Sequence, residues 1–223
     1  MIKLKDIILE ATREELVLAT SRQIIYAFKR GDAEYTQDFD LSGPKVTGED
    51  DANVELVVTF IKQSPLDYAF SISAGAELED VSMEITYDPK QFPGAYNNLV
   101  AEVKETLEHE FEHVQQGVFE KSFIVSNRYN EPLTYPPDGV QAPSHYLYLT
   151  SNIEVPAYVK GLIKRAKVKK LSLDAAMEDY YSDYKRIFDA EGTDWIGVKK
   201  VWMSWAKNNI DKLKKFSITK HID

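Results

Sequence analysis

From Ala95 to about Val118 the apolar residues Tyr96, Leu99, Val100, Val103, Leu107 and Val114 recur at three- and four-residue steps, with charged residues between them. Only an α-helix gathers such a set onto one side of a chain, so the stretch predicts an amphipathic helix. Within it stands Leu107-Glu108-His109-Glu110-Phe111-Glu112-His113, an HExxH pattern. Histidines four apart on a helix point the same way about one turn apart, so both imidazoles can reach a single Zn2+. A shuffled chain of this composition shows the pattern with a chance of roughly 0.6%, which makes coincidence a poor account of it. Two of the chain's 4 histidines occupy the motif.

Glu110 follows the first histidine directly. In a site of this kind its carboxylate does not bind the metal; it takes a proton from the attacking water and passes it to the leaving amine. A catalytic zinc site also needs a third protein ligand. The extended pattern HExxHxxGxxH requires Gly at 116 and His at 119, where this chain has Gln116 and Phe119. Glu154 is the better candidate, 41 residues after His113 in Ser151-Asn152-Ile153-Glu154-Val155-Pro156. Ser151 or Asn152 can cap a helix there, and Pro156 is tolerable only in its first turn. Glu154, Ala157, Tyr158 and Gly161 share one face of that helix, and the two small residues allow close approach to the HExxH helix. The plainer role for Glu154 is a first-turn carboxylate favoured by the helix dipole. His145 is the rival third ligand. Together with Tyr146, Tyr148 and Tyr158 it is also a candidate donor to the oxyanion of a tetrahedral intermediate. Glu108 and Glu112 lie on other faces and are expected to be solvated, while Gln116, one turn beyond His113, can hydrogen-bond a ligand.

Composition narrows the alternatives. The chain has no cysteine, which excludes a disulfide framework, thiolate metal sites and a cysteine nucleophile. With 43% hydrophobic and 28% charged residues it is an ordinary globular sequence, read as one unit over 1–223 with possible sub-lobes 1–118 and 151–223. A net charge of −9 argues against general nucleic-acid binding. The charge is uneven. Residues 1–158 carry 12 Lys+Arg against 27 Asp+Glu, net −15, and residues 159–223 carry 15 against 9, net +6. The opening MIKLKDIILEATREE is not a leader pattern and no stretch approaches 18 apolar residues, so a cytoplasmic protein without a membrane partner is expected. The GxSxG, Walker and GxGxxG patterns are missing.

The remaining segments predict an α+β chain. One or two helices fill the first thirty residues, stopped at Gly31-Asp32. Residues 31–53 read as a polar loop. Strand-like runs at 54–62, 68–74 and 82–87 suggest an antiparallel meander. Residues 119–150, with four prolines and many tyrosines, read as an ordered irregular loop. Helices are expected over 153–166, 173–188 and 195–216, the last with Trp195, Val198, Val201, Trp202, Trp205 and Ile210 as a core stripe.

With HExxH on one helix and a downstream glutamate in ExxA on another, residues 82–166 resemble the zincin-like metallopeptidases, and among them the gluzincins. The resemblance implies a zincin-like fold, bound Zn2+ and a peptide or protein substrate. It matches His109, His113 and Glu154 to the metal ligands and Glu110 to the general base. In that family an edge strand just before the active-site helix pairs with the substrate backbone, and residues 82–87 occupy that place. Larger members carry an Asp four residues after the ligand glutamate, where this chain has Tyr158. The compact size and the run HExxHxxQ are similar to small intracellular bacterial or phage-encoded peptidases. The competing reading is a catalytically inactive zincin-fold protein that binds or assembles partners through its acidic and basic regions.

Overall fold

The computed structural model describes residues 4–40, 53–77, 80–115, 124–126, 132–134 and 145–209. The chain is α+β and divides into two compact units, Met1–Glu120 and Lys121–Asp223. Each has its own apolar core. No helix among the described residues is long and apolar enough to cross a membrane.

The first unit begins with one long helix, α1 (Leu4–Arg30), which buries Val17, Ile24, Ala27 and Phe28 along one stripe. It ends at Gly31, whose φ of 79° lets its own N–H reach the Phe28 carbonyl while the Asp32 N–H reaches that of Ala27. This is the left-handed glycine stop expected from the Gly-Asp pair. Four strands follow, β1 (Glu34–Asp40), β2 (Asn53–Lys62), β3 (Phe70–Glu77) and β4 (Asp80–Tyr87).

The sheet is not an antiparallel meander. Its order is β1-β2-β4-β3, and β2 runs parallel to β4, with Leu56 opposite Val81 and Phe60 opposite Ile85. The connection from β2 to β3 passes the end of β4, held there by Gln63 N–H on the Tyr87 carbonyl and Asp88 N–H on that of Ala69. The reason lies in the composition of the strands. In β4, Val81, Met83, Ile85 and Tyr87 are all buried, which suits an interior place with partners on both sides. In β3, Ser71, Ser73, Ala74 and Gly75 have little apolar surface to cover and sit at the border. Residues 82–87 are therefore not an edge strand, and β3 is. A second correction concerns residues 31–53: β1 forms there, antiparallel to β2. Its sequence EYTQDFD reads as a loop because an edge strand with a polar face lacks the apolar alternation of an inner one. Residues 41–52 lie outside the described residues.

Asp88 closes the sheet and starts the helix that matters. Its carboxylate accepts N–H groups from Lys90 at 2.9 Å and Leu66 at 3.4 Å and the Gln91 amide at 3.1 Å. These bonds, first that from Lys90, hold its carboxyl below the usual range. A short 3-10 turn, Phe92–Gly94, then leads into α2 (Tyr96–Gln115). Leu99, Val103, Leu107, Phe111 and Val114 of α2 belong to the core with the sheet and α1.

Among its described residues the second unit holds a hairpin, β5 (Ile124–Ser126) with β6 (Pro132–Thr134), and four helices: α3 (His145–Leu149), α4 (Glu154–Lys169), α5 (Leu173–Ala190) and α6 (Trp195–Asn208), so the stretch 119–150 read as an irregular loop contains two short strands and a short helix. The other residues of 119–144 lie outside the described residues, as does the expected continuation of the last helix to 216. Ser172 caps α5 by accepting the Ala175 N–H, and Asp194 caps α6 by accepting that of Gly197. The tryptophan stripe is core as expected: Trp195, Val198, Val201 and Trp202 are buried, and Trp205 packs at its border. Arg165 of α4 is 1% exposed and is paired with Asp179 at 2.7 Å and with Asp183, both from α5.

Candidate metal centre

The histidine pair is set by α2 alone. His109 and His113 are one turn apart, their rings are 4.6 Å between centroids at 83°, and their Nε2 atoms lie 2.9 Å from each other. His113 is 9% exposed, and Glu110 is buried at 6%. Leu107, Phe111 and Val114 anchor the opposite side of the helix in the core, so the helix cannot rotate to present other residues.

Glu154 is the first residue of α4 and is buried. Its N–H donates to Ser151 Oγ at 3.2 Å, and the Val155 N–H to the Ser151 carbonyl at 3.0 Å, so Ser151 supplies the cap expected of it. Pro156 falls inside the first turn, where its missing N–H costs nothing. Ala157 and Gly161, one and two turns on, are buried.

Among the described residues, His109, His113 and Glu154 form a group able to hold a metal ion, with one imidazole nitrogen from each histidine and one carboxylate oxygen within 4.8 Å of one another. Two nitrogens and one oxygen suit Zn2+. Ligand atoms of a tetrahedral zinc stand about 3.3–3.5 Å apart. The 2.9 Å between the two histidine Nε2 atoms is a few tenths of an ångström short of that, a difference within side-chain rotation. The donor set fits the ion.

The other candidate residues have different surroundings. His145 opens α3, with Nδ1 2.8 Å from Thr193 Oγ1 and its ring edge-on to Phe188 at 5.1 Å. Burial lowers its pKa, against an opposing pull from the Glu191 charge. Tyr158 stacks on Trp202 with ring centroids 4.9 Å apart and planes at 16°. Burial, followed by the charges of Tyr180, Tyr148 and Glu154, raises its phenol well above the usual value, so it is a neutral hydroxyl at pH 7. Gln116 lies outside the described residues.

Glu108 and Glu112 are not solvated. Glu108 is 0% and Glu112 7% exposed, and Glu102 and Glu105 are buried as well. None of these carboxylates is without an interaction, as buried charge requires. An amphipathic pattern marks which side of a helix is apolar; it does not show that the polar side meets water, and from Leu99 to Val114 no residue of α2 is exposed.

No protein-family model matches this chain, and no curated protein or solved structure matches it either.

Proposed function

We propose that this protein is a zinc-dependent hydrolase of peptide bonds, with a zincin-like arrangement in which His109, His113 and Glu154 hold the metal. The observation that carries the reading is the convergence of three donor atoms within 4.8 Å, two of them from an HExxH motif whose intervening Glu110 is buried. Zinc bound there supplies a Lewis acid that polarises the scissile carbonyl and acidifies a water. The chain's own part is to hold and move protons. Glu110 Oε accepts the proton of the attacking water and returns it to the nitrogen of the leaving amine. Burial serves this role, because a carboxylate shielded from bulk water exchanges its proton with the reactants rather than with solvent.

An extended substrate has a place to lie along β3. The strand has a hydrogen-bonded neighbour on one side only among the described strands, and its residues 70–76, Phe-Ser-Ile-Ser-Ala-Gly-Ala, carry no charge or proline to block strand addition. On this reading β3 takes the substrate-pairing role that the family resemblance assigns to residues 82–87.

Metal content by mass spectrometry, on chain purified without chelator, tests the proposal. About one zinc per chain in the wild type, little in His109→Ala, and cleavage of a peptide library that disappears in Glu110→Gln support it. No zinc after reconstitution sinks it. Zinc without cleavage points to the binding or assembly reading.

A further inference from the structure

Trp202 of α6 is fully buried and touches the segment carrying Glu154 on both sides of that residue. On the upstream side its Nε1–H donates to the Leu149 carbonyl at 2.8 Å, across 53 residues of sequence. Leu149 ends α3, and the chain from there to Glu154 is bonded at almost every step. Thr150 donates its N–H and its hydroxyl to the Tyr146 carbonyl at 3.1 and 2.8 Å, and the Ser151 N–H donates to Tyr148 at 3.1 Å. Ser151 Oγ then accepts the Glu154 N–H. On the downstream side the same indole stacks on Tyr158, one turn after Glu154 on α4. The indole is itself fixed by Trp195, perpendicular at 5.7 Å, and by Tyr180 at 5.9 Å.

A carboxylate on the first turn of a helix is only as well placed as that turn, and the Ser151 hydroxyl that caps it stands two residues from the Leu149 carbonyl that the indole holds. We infer that Trp202 is the positioning residue for Glu154: by holding the Leu149 carbonyl and the Tyr158 ring together it sets the start of α4, and with it the Glu154 carboxylate as a metal ligand. The inference rests on the zinc reading above.

The test is a zinc dissociation constant, measured on the full chain by competition with a chelating indicator dye. Four proteins are compared: wild type, Trp202→Phe, Glu154→Ala and the double variant. Trp202→Phe keeps a ring but removes the N–H, and weakens zinc binding by about 10-fold. In the Glu154→Ala background the same change shifts it by less than about 2-fold, because the group it positions is gone. A purely structural role predicts the same factor in both backgrounds, and that result, or an unchanged affinity in Trp202→Phe, overturns the inference. Should Trp202→Phe fail to fold, Tyr158→Leu removes the other side of the stack and must show the same dependence on Glu154; equal factors again overturn it. Absence of zinc from the wild type overturns the metal reading and this inference together. Zinc bound by the wild type, lost in His109→Ala and unaffected by either ring substitution overturns this inference alone.

Discussion

The Nε2 atoms of His109 and His113 face each other at 2.9 Å across one turn of α2. Two nitrogens so close cannot both carry a proton on the facing side; one must donate to the other or both must turn to a shared cation. On the zinc reading, the spacing of the motif along the helix brings two imidazole nitrogens within reach of one ion.

Zinc should therefore stabilise the fold. At a free concentration one hundred times the dissociation constant, mass action adds about 2.7 kcal/mol to the native state. A thermal melt of the wild-type chain is expected to rise on adding zinc and fall with chelator. His113→Ala should lose most of that response, and a full zinc response in this variant would remove His113 from the ligand set.

Glu110→Gln separates binding from chemistry. The amide keeps the size of the side chain and cannot accept the proton, so zinc content is expected to stay near the wild-type level. Peptide hydrolysis should drop by about 10²–10⁴-fold. Retained turnover would assign the base to another group.

The Asp88 turn makes the first unit sensitive to acid. Its folded pKa lies below the unfolded value, so its contribution to stability is complete above the unfolded pKa and disappears as pH falls through the folded one. Asp88→Asn should weaken the fold at pH 7 and flatten the loss of stability below about pH 4. Parallel acid-unfolding curves for the two proteins would contradict this.

Gly197 has to be glycine for reasons of space. A Cβ there meets the Asp194 carboxylate that caps α6 and comes within 3.0 Å of the Tyr146 ring. Gly197→Ala is expected to cost about 1–3 kcal/mol in denaturant unfolding, although alanine is the better helix former.

Lys170 carries the opposite prediction. It ends α4 with φ 56° and ψ 43°, a left-handed conformation that a side chain resists. Lys170→Gly should raise stability by roughly 0.5–1 kcal/mol, read from the same unfolding curves, because the relieved strain exceeds the added freedom of the unfolded chain.

Most of the helical structure was legible along the chain. The stop at Gly31-Asp32, the Ser151 cap and the buried Trp195–Trp202 stripe are local patterns, and the structure contains them. The residues proposed as donors come from local patterns too, since HExxH is a spacing on one helix and Glu154 follows a capping serine before a proline. The polar edge strand β1 was not, because half its residues face away from any core and their pattern matches that of a turn-rich loop. Nor was Trp202 visible as more than core, since its bond to Leu149 joins residues 53 apart.

By itself the sequence determined where the long helices lie and which side chains share a face of α2, because hydrogen bonds four residues along the chain decide both. Only the tertiary structure decided that β4 lies inside the sheet with β3 at its border. Only it decided that Glu108 and Glu112 are buried, and that an indole grips both ends of the turn holding Glu154. Those outcomes depend on which distant surfaces meet, and the free energy of that choice is shared over many pairings that no single stretch of chain contains.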